Sequence, residues 1–347
     1  MTPQCPTPRH EDERVLLGHG AGGRLTAELL GALLLPAIGA PAGPLEDAAT
    51  LPPVGLPVIS TDSFVVSPLS FPGGDIGSLA VHGTVNDLAM RGAQPVALAV
   101  SLIIEEGLPL AELRSVVESL GKAAAEAEVP VVTGDTKVVG RGAADRLFIT
   151  TTGIGRRIPA LHPSAARAQP HDAILLSGPI GLHGTAVLST REGLGFEADI
   201  TSDSRPLHRL VKALACFADD LHTLRDPTRG GLAATLNEIA EASGTGAEID
   251  ERALPVPGPV AAACDLLGLD PLHVANEGCL VAYVPEARAD DVLHTMHRVP
   301  EGASAVRIGR TTAVHPRRVE LRTRVGSHVG SHRVIDMPLG EQLPRIC

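Results

Sequence analysis

Four short acidic motifs could carry metal or phosphate chemistry. Thr61-Asp62 and Gly134-Asp135-Thr136-Lys137 follow strand-like runs, Asn86-Asp87 lies within a helix-like segment, and Asp226-Pro227-Thr228-Arg229-Gly230-Gly231 precedes a helix. Carboxylates aimed from several such points into one crevice would make an all-oxygen site for partly hydrated Mg²⁺, the ion that nucleotide phosphates require. Taken singly, each is equally an Asx turn or a helix cap. Gly73-Gly74 and Gly230-Gly231 precede helix-like segments, where backbone N–H groups can face phosphate. They serve equally well as tight turns. The chain contains no G-x-x-x-x-G-K-[ST] loop.

Three further residues have chemistry of their own. Lys137 is one of only three lysines, beside Lys122 and Lys212, while 29 side chains are Lys or Arg. A lysine kept inside a motif is a candidate phosphate clamp or proton-transfer group, or an ordinary solvated ion-pair partner. Glu277, in Ala275-Asn276-Glu277-Gly278-Cys279, lies between apolar stretches. It is either a loop carboxylate or a base whose pKa burial would raise. Cys347 is the last of five cysteines, with Cys5, Cys216, Cys264 and Cys279. No C-x-x-C pair argues for a zinc ribbon or redox pair. Cys216 and Cys264 fall on apolar helical stretches and are expected to be buried. Cys347 is either incidental or a thiol on a tether.

The formal charge of −11, the 2% aromatic content and the lack of a Lys/Arg block argue against nucleic-acid binding. No long uninterrupted apolar run suggests a membrane span, and the first 14 residues lack the apolar core of a signal peptide. The expected location is the cytoplasm. With 44% apolar residues over 347 positions, about two cored domains are expected.

The elements that must hold these residues alternate between strand and helix patterns, a mixed α and β class. Gly18 to Gly23 reads as a turn into a helix near 25–35. Strands are expected near 58–66, 96–104, 129–132 and 147–154, and helices over 75–91 and 109–128. The latter carries Leu110, Leu113, Val116, Val117 and Leu120 on one face. A second module begins with a strand near 171–177. It continues with helices near 206–223, 230–243 and 287–298 and strands near 279–284 and 305–309. From Thr323 onward the apolar period is lost.

In order along the chain, His19-Gly20-Ala21-Gly22-Gly23, Thr61-Asp62-Ser63-Phe64, Phe71-Pro72-Gly73-Gly74-Asp75-Ile76-Gly77, Val85-Asn86-Asp87-Leu88-Ala89-Met90, Gly134-Asp135-Thr136-Lys137-Val138-Val139 and Pro344-Arg345-Ile346-Cys347 resemble the motifs of the HypE family of hydrogenase maturation proteins. The resemblance runs from about Val15 to Cys347. It implies a two-domain aminoimidazole ribonucleotide (AIR) synthetase-like (PurM-like) fold, α/β plus α+β. The expected layout is an N-terminal extension (1–14), an ATP-binding and dimerisation domain (15–157), an α+β domain (171–322) and a flexible tail (323–347).

The resemblance further implies an activity. A HypF-type carbamoyltransferase would load Cys347, ATP and Mg²⁺ would drive dehydration of the thiocarbamate to a thiocyanate, and a HypC–HypD complex would accept the cyanide for the iron of a [NiFe]-hydrogenase. A homodimer is expected. The implied Mg²⁺–ATP carboxylates are Asp62, Asp87, Asp135 and Asp226. Gly22, Gly23, Gly74, Asp75, Gly230 and Gly231 would shape the phosphate contacts, with Asn86 and Thr136 in the same motifs. Cys347 would carry substrate, and Lys137 or Glu277 would move the proton. Two alternatives are another ATP-using enzyme of this superfamily, such as a selenophosphate synthetase or thiamine-phosphate kinase, and a non-enzymatic scaffold. Against the first, His19 to Gly23 contains neither Cys nor Lys.

Overall fold

The computed structural model describes residues 14–40, 45, 48–193, 200–323, 331–337 and 345–347. The proposed N-terminal extension lies almost wholly outside them.

The first half is built on a four-stranded sheet. Its strands are β1 (Pro57–Phe64), β4 (Ala93–Glu105), β5 (Val131–Val139) and β6 (Leu147–Arg157), in the order β1-β6-β4-β5. Only the β4–β5 pair is parallel. A two-stranded ribbon, β2 (Ser70–Phe71) with β3 (Gly74–Asp75), leads into α3 (Ile76–Met90). Short helices α1 (Arg24–Leu29) and α2 (Leu35–Ala37) precede the sheet, and α4 (Leu110–Glu126) joins β4 to β5.

Helix α3 is apolar or small on nearly every side, so it is buried on nearly every side. Small residues allow the close approaches. A Cβ on Gly77 would meet the Val116 carbonyl of α4 at 2.2 Å, and one on Gly83 would meet the Phe64 ring at 2.9 Å. Helix α4 buries Leu113, Val116, Val117 and Leu120 as its period predicts, while Leu110 is half-buried.

The second half holds seven strands in the order β13-β12-β9-β11-β7-β10-β8. These are β7 (Asp172–Leu176), β8 (Thr223–Arg225), β9 (Gly246–Asp250), β10 (Val281–Pro285), β11 (Val306–Thr312), β12 (Val319–Arg322) and β13 (His332–Val334). Helices α5 (Leu182–Arg191), α6 (His208–Leu214), α7 (Gly231–Ser243), α8 (Gly258–Leu267) and α9 (Ala289–His297) complete this half. The β7 strand is buried throughout and its side chains feed two separate cores, one on each face of the sheet. No described helix is long and apolar enough to cross a membrane.

The structure departs from expectation in four places. Asp62 lies inside the continuous strand β1 rather than in a polar break of it, and Asp135 lies inside β5 rather than in a turn after it. Cys216 is exposed, because the helix expected over 206–223 ends at Leu214 and a 3₁₀ turn carries the cysteine outward. Cys264 is buried as expected.

The fourth departure concerns the expected tail, 323–347. His332–Val334 pairs with β12, and Ile335 is buried, its N–H bonded to the Val319 carbonyl at 2.9 Å. At the chain end, Arg345–Cys347 lies against the body of the protein. Residues 324–330 and 338–344, including Pro344, are outside the described set.

Candidate functional site

The acidic motifs separate into two groups, and sheet register explains why. On β1, Ser60 and Asp62 share the inner side that faces α3, and the Ser60 hydroxyl donates to the Asp87 carboxylate at 2.6 Å. Asp62 pairs with Thr151, Thr151 with Val100, and Val100 with Gly134. Paired residues share a face, so Asp135, one position further along, points to the opposite face. It stands in register with Ser63, three strand spacings or about 14 Å across the sheet. The expected convergence of Asp135 with Asp62, Asp87 and Asp226 is therefore not found within one chain.

The inner group gathers around a cavity of about 320 Å³ bordered by Ser60, Asp87, Arg225, Asp226 and Thr228. Burial raises the Asp87 carboxyl, the Ser60 hydrogen bond opposes this, and the Asp62 charge adds to it. Asp226 keeps a little solvent exposure, yet protein surrounds it. Its carboxyl is pushed up to about 7, first by burial and then by Asp87. Asn276 ties the Asp226 turn to the next loop, donating to the Pro227 carbonyl at 2.8 Å while accepting the Gly181 N–H at 2.6 Å. That holds the loop of Glu277, itself 3% exposed, against the Asp226 turn. Burial raises its carboxyl well above the ordinary value, and Asp226, Asp203, Asp62 and Asp87 raise it further.

Asp203 has no counterpart in the sequence expectations. Its carboxylate accepts the N–H groups of Glu277 at 3.1 Å and Gly278 at 2.9 Å. Gly278 is obligatory at this contact, since a Cβ would meet the Asp203 carbonyl at 1.7 Å. The cluster of like charges is what a cation would relieve. Among the described residues, however, no three His, Cys, Asp or Glu side chains close on one point as a complete ligand set. Phosphate oxygens and water would have to supply the remaining ligands, as Mg²⁺ commonly requires.

The outer group sits at the far edge of the sheet. Lys137 donates to Asp135 at 3.0 Å, and this bond holds the Asp135 carboxyl below its usual range. The glycine-rich turn packs over the same strand, where a Cβ on Gly20 would meet the Val138 backbone at 2.7 Å. Gly22 and Gly23 border open space, and the Gly22 N–H reaches Thr26 Oγ1 at 2.9 Å. A cavity of about 440 Å³, lined by Thr26, Leu30, Leu45, Val131, Asp135 and Thr136 among others, opens here.

Some expected phosphate contacts are otherwise engaged. Asp75 caps α3, accepting the Ser78 N–H at 2.9 Å, and its carboxyl is buried. Gly74 packs against Phe71 and Ser78. Asn86 is a bridge between the two halves, donating to the Arg205 carbonyl at 3.1 Å and accepting the Leu207 N–H at 2.7 Å. Gly230 stands in the left-handed region as the N-cap of α7. Gly231 is pressed against the Leu272 and Val274 carbonyls.

The chain end runs beside residues 65–67, immediately after the strand that bears Asp62. Val65 N–H donates to the Cys347 carbonyl at 3.2 Å and Ser67 N–H to that of Arg345 at 3.1 Å. Arg345 pairs with Asp145 and donates to the Val65 carbonyl at 2.9 Å. Ile346 is buried in the core and Cys347 is half-buried against it.

Models of the AIR synthase related protein match residues 45–157 with the N-terminal domain and 169–322 with the C-terminal domain. The carbamoyl dehydratase HypE of Azotobacter vinelandii is 55% identical over 332 residues, covering 95% of this chain and 96% of the relative. The chain belongs to the HypE family. A crystal structure of HypE in complex with ATP superposes with a TM-score of 0.91 at 50% identity, covering 96% of this chain and 99% of that one. A HypE–HypF complex matches with a TM-score of 0.78 at 46% identity, covering 81% and 90%. Thiamine-monophosphate kinase from Stenotrophomonas maltophilia, at 20% identity and a TM-score of 0.62, shares the fold. In this HypE-family chain the motifs that carried the resemblance divide between the inner cavity, the outer edge and the docked chain end.

Proposed function

We propose that this chain dehydrates an S-carbamoyl group on Cys347 to an S-cyano group, using ATP and Mg²⁺, and so supplies cyanide for a [NiFe]-hydrogenase in the cytoplasm. The observation that carries the reading is the docking of Arg345–Cys347 next to the end of β1, three residues beyond Asp62. Val65, which holds the Cys347 carbonyl, is about 10 Å along the chain from Asp62. Curated relatives bear the name carbamoyl dehydratase, and a 50% identical HypE is known with ATP.

When bound, Mg²⁺–ATP supplies the phosphoryl group that turns the thiocarbamate oxygen into a phosphate leaving group. The chain's own residues do the rest. Asp62, Asp87 and Asp226 would hold the cation, since their mutual repulsion is relieved by it. Glu277 is the better base than Lys137, because it is buried and feels the charges of Asp226, Asp62 and Asp87, whereas Lys137 is exposed and bonded to Asp135 on the outer face. Removal of both N–H protons of the carbamoyl group, one as its oxygen is phosphorylated and one as the C–O bond breaks and phosphate departs, leaves the C≡N bond on sulfur. The net loss from Cys347 is the elements of water.

A homodimer would give the outer group a role. The outer side of the four-stranded sheet exposes Ile59 at 71%, with Ile103 and Val132 also exposed. A second copy over this face would cover them and bring Asp135, Thr136 and Lys137 to a shared site. The HypE–HypF complex supports a HypF-type loading partner, and a HypC–HypD-type acceptor follows from the same chemistry.

The test is mass spectrometry of the final peptide after incubation with the loading partner, carbamoyl phosphate, ATP and Mg²⁺. A carbamoyl adduct on Cys347 that loses one water only when ATP is present supports the reading. No adduct on Cys347 with an active loading partner overturns it, as does an adduct that ATP leaves unchanged.

A further inference from the structure

Helix α5 grips the docked chain end by its backbone. His183 Nε2 lies 2.6 Å from the Ile346 carbonyl oxygen and is fully buried. A carbonyl only accepts, so Nε2 carries the proton and donates. In a neutral ring Nδ1 must then accept, and the Ser202 hydroxyl stands 2.8 Å from it as donor. The Ser202 oxygen also accepts the Ser204 N–H at 3.1 Å. Phe71 closes the ring from the other half of the protein, edge-on at 5.2 Å between centroids. Burial lowers the His183 pKa to about 4, so the ring is neutral at physiological pH.

Two turns along α5, Arg191 donates to the Ser67 carbonyl at 2.9 Å and to the Arg345 carbonyl at 2.7 Å. Consecutive carbonyls of the chain end are thus held by one helix, and Ser67 is held with them.

The segment that sets the histidine also sets the candidate base. Ser202 N–H donates to the Pro72 carbonyl at 2.8 Å. Asp203 binds the backbone of Glu277 and Gly278. Ser204 bonds His82 Nδ1 at 3.0 Å, and Arg205 Nε donates to the Gly278 carbonyl at 2.8 Å. Four successive residues therefore fix, on one strap, the ring that holds Ile346 and the loop that holds Glu277.

We propose that His183 and Arg191 are positioning residues that seat Cys347 for the reaction, and that the Ser202–Arg205 strap sets the distance between that seat and Glu277. The proposal rests on the dehydratase reading for its purpose. The seat itself is defined by contacts alone, so it can be tested without ATP or a carbamoyl group.

The experiment is the rate of iodoacetamide alkylation of Cys347 in the full chain, read by peptide mapping so that exposed Cys216 is scored separately. His183→Leu removes the Nε2 donor and leaves a buried carbonyl unpaired, so the Cys347 rate is expected to rise roughly tenfold or more. His183→Gln places an amide N–H near Nε2 and is expected to restore most of the protection. Arg191→Gln, at a half-buried position where misfolding is not expected, should also raise the rate. Single-turnover dehydration of enzymatically carbamoylated chains should fall in the order of the alkylation rates, with ATP affinity unchanged.

Equal alkylation rates in wild type, His183→Leu and Arg191→Gln overturn the seat, as does a His183→Gln variant no better protected than His183→Leu. If the seat behaves as described but no variant, wild type included, shows ATP-dependent dehydration, the dehydratase reading fails and the seat stands.

Discussion

Asp203 and Glu277, 74 positions apart, are joined by a carboxylate that accepts the Glu277 backbone N–H at 3.1 Å. The same carboxylate takes the next N–H as well, so the loop bearing the candidate base is hung from a second acid. Asp203→Asn keeps one acceptor oxygen and loses the other. Stability should drop by roughly 1–3 kcal/mol, the cost of leaving a buried N–H without its acceptor. Removing the Asp203 charge also lowers the Glu277 pKa, so the pH profile of turnover should move to lower pH. An unmoved profile in folded Asp203→Asn would mean that Asp203 serves the backbone only.

The carboxyl of Asp226, raised to about 7, gives a pH dependence with a definite sign. An ordinary Asp ionises near 3.9, so between about pH 4 and 7 the folded chain holds a proton that the unfolded chain has released. Stability from this group therefore falls as pH rises through that window and levels off above it. Asp226→Asn should flatten the fall in Tm between about pH 5 and 7.5. The slope should shrink rather than vanish, since Glu277 and Asp87 are raised too. In wild type, stabilisation by Mg²⁺–ATP should be larger at pH 8 than at pH 6, because ion binding at the lower pH must displace the proton. Thermal denaturation at matched ionic strength measures both.

Asp75 separates a structural acid from a nucleotide-binding one. Its carboxylate is committed to the Ser78 N–H at the start of α3. Asp75→Ala should cost about 0.5–2 kcal/mol, as expected for a lost N-cap, and leave ATP affinity unchanged once folded. Calorimetric ATP titration decides. A large loss of affinity in a folded variant would return Asp75 to the phosphate site.

Asp135 and Asp226 test whether two copies share a site. Asp135→Asn and Asp226→Asn should each reduce turnover when alone. If the outer face of one copy completes the inner cavity of another, mixing the two variants should restore part of the lost activity. Sites built wholly within one chain would show no complementation.

Much of this architecture was legible from residue types. The stripe from Leu113 to Leu120 marked α4, and the order of the acidic motifs pointed to the family. What could not be read was which face each acid takes. Asp62 and Asp135 sit in similar polar breaks of apolar runs, and one residue of register sends them to opposite sides of the sheet. Asp203 and His183 gave no local signal either. Their partners, Glu277 and Ile346, are 74 and 163 positions away, and only tertiary packing brings them together. Cys216 escapes the expected burial because an apolar stretch says nothing of where its helix ends.

The strand added at β13 limits geometry far outside the protein. Ile335 is anchored by Val319 and by Asn237, whose amide donates to its carbonyl at 2.9 Å. If the proposed reaction carries Cys347 away from its seat, the length of chain after Ile335 sets how far the sulfur travels. Twelve residues reach at most about 40 Å when fully extended. Under the proposed reaction, a protein that loads the sulfur or takes cargo from it would have to present its own reactive group inside that radius, measured from one fixed point on the edge of the second sheet. Two large partners serving the same sulfur within that radius would have to take turns.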